Sequence, residues 1–341
     1  DGVGLAAALD TLDFMVSIDI YLNETTRHAD VVLPPPSNLA RSHYDLLLLQ
    51  FAVRNVANYS PPVFPLADGV PDEWEIVLKL AGIARTGDPG FDPAVLDDSA
   101  IRAVVTSAVG DPTSPVHGRD PEELLAALEP RRGPERMLDF QLRTGPYGDA
   151  FGANPGGLTL AALEAAPHGI DLGPLQPRMP EILRTPSGRI ELAPAPLVAD
   201  LDRLGASLAA PVPAFTLIGR RDLRSNNSWM HNIEVLVKGR ERCTVMIHPD
   251  DAAALGIADG APVQVRSRVG AVVAPAELTA GIVRGVVSIP HGWGHDLDGV
   301  ELSVARRRAG VNANALADTD ALDPLSGTSV LNGIPVELAP A

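Results

Sequence analysis

The stretch HPDDAAALGIADGAPVQVRSRVG, residues 248–270, decides the fold. Pro249 stands at a first helical position, and Asp250 and Asp251 place negative charge where a helix dipole is positive. Gly256 then stops the helix, because a left-handed C-cap suits a residue without Cβ. Asp259-Gly260 turns the chain, Pro262 to Ser267 reads as a strand, and Val269-Gly270 is a hairpin-type turn into Ala271 to Leu278. Working outward, Phe215 to Gly219, Cys243 to Ile247 and Gly285 to Ile289 are further strand candidates. From about residue 213 onward the chain is therefore expected to be β, with one short capped helix embedded in it.

Towards the N-terminus the pattern changes. Phe14 to Asp19 and Ala29 to Pro34 read as short buried strands, and Asn23 to His28 between them can cap and begin a helical turn. Strand, short helix, strand is the grammar of the last units of a parallel α/β sheet. Asp72 to Ala81, Pro93 to Val109 and Pro121 to Leu128 have helical spacing, and Thr185 to Leu192 reads as a turn into a strand. Ala209-Ala210-Pro211-Val212-Pro213 is a candidate boundary. The expected division is an α/β tail over 1–84, a mixed helical and loop segment over 85–212, and a β-barrel domain over 213–341.

Composition narrows the function. The 27 Lys and Arg against 43 Asp and Glu give a net charge of −16, which argues against a general nucleic-acid or anionic-membrane surface. No apolar run is long enough to span a bilayer. The single cysteine, Cys243, sits in an apolar strand pattern and reads as a core thiol; one thiol neither closes a disulfide within the chain nor ligates an iron–sulfur cluster alone. The opening Asp1-Gly2-Val3-Gly4 reads as a cut into a longer protein, and a cytoplasmic location is the default expectation. No nucleophile elbow, Walker loop or dinucleotide glycine fingerprint is present. The residues show no complete reacting constellation.

Four segments, taken in order, resemble one family. The 248–270 stretch resembles the entry to the C-terminal barrel of the molybdopterin oxidoreductases related to dimethyl sulfoxide reductase, a family that includes formate dehydrogenases and nitrate reductases. Ser288-Ile289-Pro290-His291-Gly292-Trp293-Gly294-His295 resembles its Pro-His-Gly-Trp-Gly turn. Asn312 to Leu316 with Asp323 to Gly327 resembles its C-terminal tail, and Asp19 to Thr25 with Ala29 to Pro34 resembles its Asp-x-(x)-x-Thr-x-Thr and Ala-Asp-Val-x-Leu-Pro unit, with Asn23 in the place of the usual Thr. Ala40 to Asp45 departs from the family's usual Glu-x-x-Gly-Thr pattern, which blurs the subfamily.

The resemblance implies the end of a dinucleotide-binding parallel-sheet domain, a helical middle near a substrate funnel, and a six-stranded double-psi β-barrel. It implies molybdopterin guanine dinucleotide carrying molybdenum or tungsten, with two-electron chemistry on a small-molecule substrate such as formate or nitrate. An iron–sulfur cluster is expected only in an N-terminal remainder of the same protein, with an electron-transfer partner beyond it, and the chain alone is expected to show no turnover. A non-catalytic scaffold like the large iron–sulfur subunit of complex I, and a free-standing barrel with a small-molecule role, are the rival classes.

Residue by residue, Asp19 either accepts the donor edge of a guanine or caps the turn that follows it, with Asn23 and Thr25 beside it. Asp30 reads as structural. Arg220 is expected at a phosphate or pterin, and Ser225 and Asn226 can bond pterin edges. In the His291 turn, Gly292 and Gly294 would let the backbone approach a flat ligand, and Trp293 offers an apolar face and one N–H. Trp229, Met230 and His231 either line the site or pack, and Asn314 is either a pterin contact or a turn residue. His291 and His295 stand at a zinc-like spacing only on a helix, which the glycines oppose.

Overall fold

The computed structural model describes residues 2–341. It divides into two compact units, residues 1–34 with 185–341, and residues 35–184. These boundaries differ from the expected divisions at 84 and 212. The first 34 residues belong with the barrel because hydrogen bonds run between them directly, from the Glu301 amide to the Leu22 carbonyl and from Arg27 to the Asp298 carbonyl.

In the first unit, strands β1 (Val16–Ile18) and β2 (Val31–Leu33) pair in parallel, with the 3-10 turn Thr26–His28 between them. The Asn23 side chain begins that turn by accepting from the amides of Thr25 and Thr26 at 3.0 and 3.1 Å. The pair is two-stranded among the described residues, so the extended parallel sheet of a dinucleotide domain is not formed within it. The Asp30 carboxylate accepts from the Met15 amide at 2.7 Å, the structural role expected of it.

The second unit holds two small antiparallel pairs, β3 (His43–Tyr44) with β5 (Tyr59–Ser60), and β4 (Arg54–Ala57) with β6 (Ile170–Pro174). Around them pack helices Glu73–Thr86, Pro93–Gly110, Pro121–Ala126, Gly133–Thr144 and Leu160–Glu164. Glu73–Thr86 starts in a full capping box between Asp72 and Glu75 and ends on Gly87 in the left-handed region. Ile101, Val105, Val116, Leu124, Leu128 and Phe140 are the core of the helical part.

The rest of the first unit is a closed six-stranded barrel of β7 (Phe215–Arg220), β8 (Val245–Ile247), β9 (Pro262–Arg266), β10 (Ala271–Leu278), β11 (Val286–Pro290) and β12 (Ile334–Pro340), in the order β10-β8-β11-β7-β12-β9. The helix Pro249–Leu255 has His248 as N-cap and Gly256 as left-handed C-cap, as its sequence requires. Val245, Ile247, Val263, Val265, Val287 and Ile289 are fully buried in the barrel. Each contributes about 1.5–3 kcal/mol relative to an exposed side chain.

Two sequence expectations fail here. Residues 189–192 form no strand, and Leu192 is 91% exposed; no partner edge reaches this segment. The sixth barrel strand, Ile334–Pro340, carries two prolines that mask it in the sequence. Its alternation is clear once its neighbours are known: Ile334, Val336 and Leu338 are buried, while Pro335 and Glu337 face out.

Candidate functional site

Parallel pairing of β7 and β11 places Arg220 opposite Pro290, so residues 221–231 and the His291–His295 turn leave the barrel side by side. The 23–28 turn joins them. His295 Nδ1 lies 2.7 Å from Glu24 Oε1, and His295 Nε2 lies 2.7 Å from His231 Nδ1. This run of three side chains ties together the loops that carry most of the sequence-derived candidates.

Asp19 and Asn23 are brought together. Asn23 Nδ2 donates to Asp19 Oδ2 at 2.8 Å, and the Tyr21 amide donates to Asp19 Oδ1 at 3.0 Å. The carboxylate therefore caps its turn, and each oxygen retains acceptor capacity beyond its one protein donor. Thr25 is exposed, with its amide held by Asn23.

Arg220 turns inward. Its terminal nitrogens donate to the carbonyls of Ser288 (2.6 Å), Thr244 (2.9 Å) and Arg242 (3.1 Å), and to Thr244 Oγ1 (2.7 Å). The strand-end guanidinium clamps β7 to its neighbours, which leaves little of its fork for a phosphate. Ser225 is likewise spent: it is buried, and its hydroxyl donates to the Asp222 carbonyl at 3.0 Å. Asn226 is exposed with φ +42°, and Asn227, at φ +62°, accepts from Arg221 at 3.0 Å. His291 Nε2 lies 2.8 Å from Asn227 Oδ1, and its Nδ1 lies 3.2 Å from the Arg220 carbonyl.

The two glycines of the turn serve protein packing. A Cβ on Gly292 (φ +88°) would stand 2.2 Å from the Asn227 carbonyl oxygen, and one on Gly294 (φ +110°) would stand 2.7 Å from Asn312 Cβ. Both admit a neighbouring loop, where the sequence suggested a flat ligand. Asn314 is exposed, with Asn312 capping its turn. Cys243 is a core thiol as expected: the Val311 amide donates to Sγ at 3.3 Å, and burial pushes the thiol up to about 11.

Trp293 is 6% exposed and stacks on His231 with ring centroids 4.0 Å apart. Trp293 Nε1 and His231 Nε2 are both buried without a hydrogen-bond partner among the described residues. An unpaired buried polar group costs about 1–3 kcal/mol, so two in adjoining rings mark a place built for something else. These atoms are the observation that fits an added polar ligand. Sequence reasoning left His231 open between site and packing, considered His295 only for zinc, and passed over Glu24. Among the described residues no group of three His, Cys, Asp or Glu could hold a metal.

Burial pushes His231 down from an ordinary 6.5 to about 4, and the neighbouring His295 acts in the same direction. Burial is the largest influence on Glu24 and works to raise it, but the hydrogen bond with His295, a backbone hydrogen bond and the two neighbouring imidazoles together outweigh it and hold the carboxyl below its usual 4.5. Both groups bind protons more readily unfolded than folded. The contribution of His231 to stability is therefore complete above about pH 6.5 and is lost as pH falls towards about 4; that of Glu24 is lost lower still. The thermal midpoint is expected to fall between about pH 7 and pH 5, with a flatter slope in His231→Gln. A midpoint independent of pH over that range would show that the imidazole is not held neutral by burial.

Residues 215–335 match the molydopterin dinucleotide binding domain family. The chain is similar to the dimethyl sulfoxide/trimethylamine N-oxide reductase of Rhodobacter capsulatus, at 23% identity over 86% of this chain and 34% of that protein. It is similar to the trimethylamine-N-oxide reductase of Haemophilus influenzae, at 25% identity over 86% of this chain and 34% of that one. The tetrathionate reductase of Salmonella typhimurium has a subunit that is 33% identical over 28% of this chain and 11% of its own length. Among solved structures, acetylene hydratase from Pelobacter acetylenicus superposes with a TM-score of 0.52 at 19% identity, covering 98% of this chain and 41% of that one. The chain thus spans about a third of the length of the first two reductases.

Proposed function

We propose that the chain, whose residues 215–335 match the molydopterin dinucleotide binding domain family, is the cofactor-closing part of a molybdopterin oxidoreductase of the dimethyl sulfoxide reductase kind. The supporting observation is the convergence at one end of the barrel of the 23–28 turn, the 221–231 loop and the His291 turn, with two orphaned buried nitrogens among them. The parallel strand pairs β7–β11 and β8–β10 within a closed six-stranded barrel are in keeping with a double-psi barrel.

In this proposal Asp19 receives the guanine, and His231 and Trp293 face the pterin. Asn226, Asn314 and His291 are more peripheral contacts. The bound group, with molybdenum or tungsten, supplies two-electron redox chemistry. Arg220 acts indirectly, by holding the strand ends from which the loops spring. The relatives are named for the reduction of sulfoxides, N-oxides and tetrathionate, so the proposed substrate is a small electron acceptor of that type; none of them is named for formate or nitrate. An iron–sulfur cluster in an N-terminal remainder and a separate electron donor complete the proposed enzyme. A cytoplasmic location remains part of the proposal; among the described residues no helix is long and apolar enough to cross a membrane.

GDP binding to the full chain, measured by calorimetry, tests the proposal. Asp19→Ala should weaken it by about 10–100-fold, as expected for a hydrogen bond to a charged group. Equal affinity in the variant would remove Asp19 from the guanine site, and no GDP binding by the unaltered chain would remove the site itself.

A further inference from the structure

Segments 232–242 and 300–310 lie side by side in the barrel unit. The Asn232 side chain accepts from the amides of Val304 and Ala305 at 2.9 and 3.3 Å, and Arg308 donates to the Gly239 carbonyl at 2.7 Å. Together they carry Lys238, Arg240, Arg242, Arg306, Arg307 and Arg308 against Glu234, Glu241 and Glu301. Six bases against three acids make a positive island in a chain whose net charge is −16.

The fold turns most of this charge outward. Ala305–Arg308 is a 3-10 turn, and three residues per turn spread Arg306, Arg307 and Arg308 around its axis. Beside it, helix Glu234–Val237 presents an exposed Val235, with an exposed Ile233 at its start. Arg242 points inward and donates to the carbonyls of Leu236, Val237 and Lys238 at the end of that helix. Glu234 pairs with Arg307, and Glu241 folds back to accept the amides of Arg242 and Cys243 at 2.8 and 2.9 Å. Arg240 comes no closer than 3.7 Å to Glu277, while Lys238, Arg306 and Arg308 form no ion pair among the described residues.

These segments are bonded directly to the candidate site. Asn232 follows His231, and the Ala309 carbonyl accepts the amides of Gly294 and His295 at 2.7 and 3.2 Å. A protein seated on the bases would rest on the backbone that supports the converging loops. Apolar side chains ringed by charge of one sign suit a small protein of the opposite sign, drawn in by electrostatic steering. A long polyanion such as nucleic acid would run past the island onto surface that repels it.

We infer that this surface docks a small acidic electron-transfer protein, the donor that reduction of a small acceptor requires. The inference rests on the oxidoreductase reading and adds to it where the donor binds and what charge it carries.

Calorimetric titration of the full chain with two acidic probes, oxidised flavodoxin and a two-iron ferredoxin, tests this. At least one should bind at about 20 mM salt and lose about tenfold or more in affinity by about 200 mM, because salt screens exposed charges. Lys238→Glu with Arg240→Glu should weaken that binding by about tenfold or more at the lower salt, with GDP affinity kept within about twofold. Lys79→Glu with Arg85→Glu, exposed positions on helix Glu73–Thr86 of the other unit, makes the same change in net charge and should cost less than about twofold. If the first pair of reversals prevents folding, Lys238→Gln with Arg240→Gln decides, with an expected loss of about threefold. Equal losses in the two reversed pairs overturn the proposal, as does duplex DNA binding as tightly as either probe. Failure of both probes to bind a chain that binds GDP also overturns it. Failure of probes and GDP alike removes the dinucleotide reading as well.

Discussion

Gly292→Ala is expected to destabilise the barrel unit by roughly 2–6 kcal/mol. Two costs add: about 1–3 kcal/mol for a side chain forced to positive φ, and about 1–3 kcal/mol for overpacking. The added methyl would meet backbone, the Asn227 carbonyl oxygen at 2.2 Å and its carbon at 2.6 Å, so no side-chain rotation relieves it. Either the turn or the 221–231 loop must move, and with it the neighbouring stack of His231 on Trp293. Gly256→Ala is the control. Its φ is +68° with nothing within 4 Å of the added atom, so only the conformational cost of about 1–3 kcal/mol applies, without the overpacking. Chemical denaturation of the two variants should separate them clearly. Equal midpoints would mean that the turn and loop are not in contact.

Arg136→Met is expected to cost the helical unit about 3–5 kcal/mol, the range for breaking a buried ion pair from one side. Arg136 is 3% exposed and donates to Asp97 Oδ2 at 2.6 Å, and Asp97 is itself 7% exposed. Asp98, also an acceptor at 2.7 Å, is exposed and can turn to water, but Asp97 cannot. The same Asp97 oxygen accepts the Gly133 amide at 3.0 Å, so the stranded charge would sit at the start of helix Gly133–Thr144. Adding Asp97→Asn should return part of the loss, since the amide oxygen still serves Gly133 without a buried charge. Trp74 packs against Gly133, so its fluorescence reports this transition. A loss no larger than that of an exposed ion pair would show that the network is hydrated.

The parts legible in the sequence share one property: the residues that decide them are close together in the chain. His248, Pro249 and Gly256 delimit their helix unaided, and Ser267 to Gly270 turn the hairpin. Asp72 and Glu75 cap each other three positions apart. The alternation in β9 and β10 marks which side of each strand is buried. The prolines of Ile334–Pro340 concealed a strand because Pro lowers intrinsic strand preference, whereas the ring closes wherever two neighbours supply the edges.

The fold brings several of the candidate site residues together, and it alone sets where each side chain points. The motifs located the His291 turn, the Arg220 strand end and the Asp19 turn, but not the direction in which their side chains point. Arg220 and Ser225 bond to carbonyls inside the unit, and Gly292 and Gly294 admit protein loops. By itself the sequence determined the capped helix, the strands around it, the cofactor class suggested by four ordered motifs, and the inert role of Cys243. Only the tertiary structure decided the Glu24–His295–His231 line, whose members lie 271 and 64 positions apart. The physical reason is that a hydrogen bond between distant residues leaves no periodicity or local propensity in the chain; it exists only once barrel closure has brought the turns together.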